Sequence, residues 1–119
     1  MGWQFNGREA VFLQIADRLR WEILGGKYSP DEQFPSVRQL AAEAAVNPNT
    51  VQHAFAALEA EGLLCSPGTQ GRFVTEDEAV LAKCKHESLT HLTQELIRMA
   101  GEISVSKEEL IHLIEEADV

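Results

Sequence analysis

The run Asn47-Pro48-Asn49-Thr50-Val51-Gln52-His53 gathers hydrogen-bonding side chains at the start of a predicted helix. Asn47 is a favoured N-cap type, and Pro48 suits the first helical position, where its missing N–H has no partner to lose. Asn49, Thr50, Gln52 and His53 are uncharged or weakly charged donors and acceptors. Clustered on a helix tip, such groups can read base edges in a duplex, and a helix N-terminus also attracts phosphate. A well-capped surface helix accounts equally well for this stretch taken alone. Elsewhere the chemistry is thinner. Cys84, Glu87 and His91 share one helical face at a spacing that could hold a metal, but a mixed polar face is the simpler account. No metal and no other cofactor is expected. No nucleophile stands beside a paired base and no glycine-rich phosphate loop follows a strand, so no catalytic residue is assigned and no enzyme is expected. Cys65 and Cys84 lack metal or redox spacing, which fits a reducing, cytoplasmic setting.

The surrounding pattern supplies the elements that would carry the tip. Phe12, Ile15, Ala16, Leu19 and Ile23 recur at helical period and predict a helix from about Arg8 to Leu24, ended by Gly25-Gly26. Two prolines mark residues 27–35 as a connection, in which Gln33-Phe34 could form a very short strand. Ser36 and Gln39 make a capping box for a second helix of about ten residues carrying Val37, Leu40, Ala41 and Ala44. A tight turn at Val46-Asn47 leads to the third helix, whose buried face is Val51, Ala54, Phe55 and Leu58 and which stops near Gly62. Short helix, tight turn and polar-tipped helix describe a helix-turn-helix. Leu63-Leu64-Cys65 and Arg72-Phe73-Val74-Thr75, separated by turn residues 66–71, predict a hairpin behind it, which is a wing.

Beyond residue 75 a helix is expected to start at Glu76-Asp77-Glu78 and to break at Gly101. Leu89, Leu92, Leu96 and Met99 step along it at heptad spacing. Ser106 and Glu109 form a capping box for a last helix with Leu110, Leu113, Ile114 and Ala117 on its apolar face. Two such stripes in about forty residues cannot bury themselves alone. They pack within the chain or against a second copy, and the heptad-like stripe favours a homodimer. Trp3, Phe5, Phe12 and Trp21 are expected in core or interface packing, since no basic cluster accompanies them. The fold class is therefore mainly α with a small β wing: a winged helix-turn-helix domain, residues 1–75, followed by a two-helix dimerisation segment, residues 76–119.

Charge and hydropathy bound the function. The chain of 119 residues carries a net charge of −9. Residues 1–75 hold six Lys/Arg against eight Asp/Glu, whereas residues 76–119 hold four against eleven. The acidity is thus concentrated in the tail, and the first two thirds can still present a local basic face. No apolar run approaches the roughly 18–20 residues that span a bilayer, so no membrane is expected. Trp3 to Arg8 does not read as a secretory leader, and Asn6 stands where a myristoylation signal wants Ser or Thr.

Several motifs agree in order and spacing with a known family. Gln14-Ile15-Ala16-Asp17, Gly26-Lys27-Tyr28 with Pro30, Phe34-Pro35-Ser36-Val37-Arg38-Gln39-Leu40-Ala41, Val46-Asn47-Pro48-Asn49-Thr50-Val51 and Leu58-Glu59-Ala60-Glu61-Gly62-Leu63 resemble the GntR family of bacterial transcription regulators. The resemblance runs from about residue 8 to residue 75, and the short two-helix tail resembles the YtrA-like subfamily, whose tail serves dimerisation. It implies that Arg38 contacts DNA from the second helix, that Asn47, Asn49, Thr50 and Gln52 enter the major groove, and that Gly71 approaches the minor groove at the wing tip. Ser36, at a helix start, is a further candidate phosphate contact. Three features depart from the family pattern. His53 stands where arginine is frequent, which makes a contact there weaker or pH-sensitive. The wing reads Pro67-Gly68-Thr69-Gln70, with Arg72 its sole cation and so its expected DNA contact, and Asp31 follows Pro30 in place of glycine.

The expected function is that of a dimeric, sequence-specific DNA-binding regulator, a repressor that occupies a pseudo-palindromic operator. The expected partners are double-stranded operator DNA, a second copy of the chain through Leu89, Leu92, Leu96, Met99, Leu110, Leu113 and Ile114, and a small-molecule effector implied by the resemblance. The alternative from another class is a winged-helix protein-interaction module with an acidic helical tail.

Overall fold

The computed structural model describes residues 2–68 and 70–118; Met1, Thr69 in the hairpin turn and Val119 lie outside the described residues. The chain forms α1 (Val11–Leu24), α2 (Val37–Ala44), α3 (Pro48–Ala60), β1 (Leu64–Cys65), β2 (Phe73–Val74), α4 (Glu78–Glu102) and α5 (Lys107–Glu116). It divides into two compact units, Met1–Cys84 and Lys85–Val119, so the boundary falls inside α4.

α1 begins three residues later than its apolar period suggests. The Asn6 side-chain oxygen accepts from the N–H groups of Arg8 (2.9 Å) and Glu9 (3.4 Å), which holds these residues in a turn. The Gln14 carboxamide folds back and pairs with both the N–H and the C=O of Asn6 at 3.0 Å. α2 opens with the expected box: the Ser36 hydroxyl accepts from Gln39 N–H at 3.1 Å and Gln39 Oε1 accepts from Ser36 N–H at 2.7 Å.

The core of the first unit lies between α1, α2, α3 and the hairpin. Ile15, Leu19, Leu40, Val51, Phe55, Leu58 and Leu63 are fully buried in it. Phe34 packs edge-on against Phe55, with ring centroids 5.6 Å apart. Burying a side chain such as Phe55 contributes about 1.5–3 kcal/mol. Trp3 and Phe5 pack against this core, and the Arg18 guanidinium lies 3.8 Å over the Trp3 ring. Trp21, by contrast, faces outward from α1 and is half exposed.

The two central helices meet through a left-handed residue. Ala45, the C-cap of α2, has φ 59° and ψ 50°. That conformation brings a Cβ close to the following carbonyl oxygen and costs a non-glycine residue about 1–2 kcal/mol. Ala45→Gly is therefore expected to stabilise the protein by roughly 0.5–1 kcal/mol after the added freedom of the unfolded chain is discounted. A thermal melt that moves up a few degrees would agree; a lower midpoint would show that this turn is not under strain.

β1 and β2 pair antiparallel, Leu64 opposite Val74 and Cys65 opposite Phe73. A third segment joins their edge: Gln33 bridges to Phe73, and Phe34 N–H donates to Arg72 C=O at 2.7 Å. The short strand anticipated at Gln33-Phe34 is thus a single bridge that ties the α1–α2 connection to the wing.

α4 starts at Glu78 because Asp77 is its cap; the Asp77 side chain accepts from Ala79 N–H at 2.9 Å. Gly101 does not break the helix. One glycine costs a helix about 1 kcal/mol, and α4 runs on to Glu102. The stop comes where Ser104 turns left-handed at φ 61° and Val105 N–H reaches back to Ala100 C=O at 2.8 Å. In α5 the Ser106 hydroxyl accepts from Glu109 N–H at 3.2 Å. Leu110, expected on a partner-facing stripe, is only 8% exposed in the single chain and so presents no free surface. Ala117, expected on the same face, lies just past the helix in extended conformation and is exposed. Among the described residues no helix is long and apolar enough to cross a membrane.

Candidate nucleic-acid interface

The tip of α3 is built as its residue types dictate. Asn47 is extended, and its side-chain oxygen accepts from Asn49 N–H at 2.8 Å. Thr50 N–H donates to Asn47 C=O at 3.0 Å. Capping occupies the Asn47 oxygen and leaves its NH2 group to donate outward. Val51, Ala54, Phe55 and Leu58 turn into the core, which leaves Asn49, Gln52 and His53 on the exposed side, with Thr50 half buried between them. The carboxamides of Asn49 and Gln52 have no internal hydrogen-bond partner among the described residues.

His53 is held by a contact that its own helix does not reveal. Its imidazole stacks on Phe12 of α1, with centroids 3.5 Å apart and planes 9° from parallel. Val11, Phe12, Asn49, Thr50 and His53 line one shallow cleft, so the start of α1 borders the recognition tip.

The cations divide sharply. Arg20 donates to Glu61 at 2.6 and 2.7 Å and to Asp17 at 2.7 Å. The hydrogen bond to Glu61 raises the Arg20 pKa against the opposing effect of burial. Arg18 and Lys27 both pair with Glu22, at 3.6 and 3.0 Å. Arg72 also turns inward: its Nε lies 3.5 Å from Glu59 Oε1 of α3, and its guanidinium sits 4.9 Å from the Phe55 ring centroid. That Nε is buried, and the approach to Glu59 is too poorly aligned to count as a hydrogen bond. Arg38, in the first turn of α2, is exposed and without an internal side-chain partner among the described residues. Arg8 is likewise exposed, with a guanidinium unpaired among the described residues, and no family motif marks it in the sequence.

The structure thus brings Asn47, Asn49, Thr50, Gln52 and His53 onto one helix tip. It places Ser36 and Arg38 at the exposed start of α2, and it folds Arg72 back against α3. The Ser36 hydroxyl serves its helix as an acceptor and still has a proton to donate. Gly71 is exposed with φ +91°. Among the described residues no group of three His, Cys, Asp or Glu side chains could hold a metal.

Comparison with known proteins agrees with this architecture. Residues 12–74 match the model of the bacterial regulatory proteins of the gntR family. The transcriptional repressor YtrA of Bacillus subtilis is 32% identical over 92% of this chain and 86% of its own length. A GntR family transcriptional regulator from Listeria monocytogenes superposes with a TM-score of 0.83 and 27% identity, covering 96% of this chain and all of that one. The AraR DNA-binding domain in complex with operator ORX1 is similar over 60% of this chain and 93% of that chain, with a TM-score of 0.53 and 27% identity. The relatives are regulators and repressors, and α1, α2 and α3 with the two-stranded wing are a winged-helix architecture. This chain belongs to the gntR family of bacterial regulatory proteins.

Proposed function

We propose that the chain is a cytoplasmic, homodimeric repressor that occupies a pseudo-palindromic DNA operator. Residues 1–75 bind DNA and residues 76–119 join two copies. The observation that carries the reading is the contrast among cations. Arg18, Arg20, Lys27 and Arg72 are paired with carboxylates, whereas Arg8 and Arg38 are exposed and uncompensated among the described residues, and of these two Arg38 sits in the first turn of α2. An exposed guanidinium with no partner to lose can take a phosphate bidentately. The α3 tip then supplies neutral donors and acceptors that suit base edges better than phosphates. The operator-bound AraR domain gives the same reading support from a similar fold. Repression is by occupancy of a promoter. Relief comes from a small-molecule effector that changes the angle between the two DNA-binding units.

The second copy is argued from apolar surface. Leu89, Leu92, Leu96 and Met99 of α4 and Leu113 and Ile114 of α5 are exposed in the single chain. Water contact over such a stripe is unfavourable by about 25 cal/mol per Å² of apolar surface, and exposed apolar patches of this kind mark association sites. Sedimentation equilibrium of the full chain at micromolar concentration tests the assembly. The mass of two chains is expected, free and on a duplex carrying one operator. The mass of one chain in both states would remove the dimer from the proposal.

A further inference from the structure

Among the described residues the wing has no outward cation, because Arg72 is folded against Glu59 and Phe55. Something else must meet DNA there if the wing contributes. The residue in place is Gln33, which lies outside the hairpin in sequence. Its bridge to Phe73 sets it on the open edge of β2. Its side chain lies across Gly71 so closely that a Cβ built on Gly71 would meet Gln33 Nε2 at 2.5 Å and Cδ at 3.3 Å. Gln33 is exposed, and its carboxamide has no internal hydrogen-bond partner among the described residues. From Gln33 the chain passes in three residues to Ser36, the cap of α2, and then to Arg38 in its first turn. Gln33, set against the wing, and the exposed Arg38 guanidinium therefore belong to one continuous stretch of backbone.

We infer that Gln33 is the wing's DNA-contacting side chain, reading the minor-groove edge of the duplex, and that Gly71 serves to leave room for it. This rests on the proposal that α3 and Arg38 bind operator DNA. The minor groove offers acceptors at A·T pairs and adds one donor at G·C pairs, and a carboxamide can answer both. A neutral contact also suits a wing without positive charge.

Two substitutions in the full chain test it, on a duplex selected by the unsubstituted protein. Gln33→Ala is expected to weaken binding about three- to tenfold, the loss of a neutral hydrogen bond, with the salt slope unchanged. Gln33→Lys is expected to steepen the slope of log K against log salt by about 0.9, one added phosphate neutralised. A structural role would leave that slope alone, and thermal melts check that both variants fold. If neither the Gln33→Ala affinity nor the Gln33→Lys slope moves while Arg38→Ala weakens binding, the inference fails and the DNA-binding face stands. If Arg38→Ala is also silent, both fall together.

Discussion

Replacing Arg38 with alanine is expected to weaken operator binding about 10- to 100-fold and to leave the melting temperature unchanged. The magnitude follows from a hydrogen bond to a charged group, about 1.5–3 kcal/mol. The unchanged stability follows from the side chain's exposure and its lack of an internal partner among the described residues. The salt slope should fall by about 0.9, one phosphate contact fewer. Arg38→Lys should lie between the two, since a lysine keeps the charge and loses the planar fork. Fluorescence anisotropy on the selected duplex at several salt concentrations gives both quantities. Affinity and slope equal to those of the unsubstituted chain would end the role assigned to Arg38.

The double substitution Leu92→Asp with Leu96→Asp is expected to convert the dimer to monomers and to lower operator affinity by about a hundredfold or more. The two leucines are one turn apart on α4 and 53% and 43% exposed in the single chain. Two carboxylates in their place would have to be desolvated on association. DNA affinity falls because two half-sites are then bound independently, without the effective concentration that linkage provides, an effect of about 10²–10⁴. Both positions lie outside the first compact unit, so its folding should be preserved. Sedimentation reads the mass and circular dichroism reads the fold. A double variant that remains dimeric would show that this stripe is not the seam.

Features decided between near neighbours in the chain are legible in the residue types themselves. The Ser36–Gln39 box and the Asn47-Pro48 start are local hydrogen-bonding decisions, and both stand as the residue types suggest. The hairpin is legible from two apolar runs about a dense turn. Even the freedom of Arg38 has a local signal. No acid lies three or four residues from it, whereas Arg18 has Glu22 and Arg20 has Asp17 at those spacings. What is not legible depends on residues distant in the chain. His53 meets Phe12 across forty residues, Arg72 turns to Glu59, and Gln33 reaches Gly71. No periodicity reports such meetings. The late start of α1 escapes an apolar pattern because the Asn6 turn captures N–H groups that such a pattern does not count. The run of α4 past Gly101 escapes it too, because the penalty of one glycine is weak and the actual stop is closed further on by Ser104 and Val105.

The most direct test of operator recognition by a dimer is selection of duplexes from a random library on the purified full chain. At about 150 mM salt nonspecific binding is largely suppressed, so what is retained reports base readout. Enrichment of an inverted repeat with half-sites about one helical turn (~34 Å) apart or somewhat more is expected. Failure to enrich any sequence, both at that salt and at low salt, would contradict it and favour a winged helix that binds protein instead.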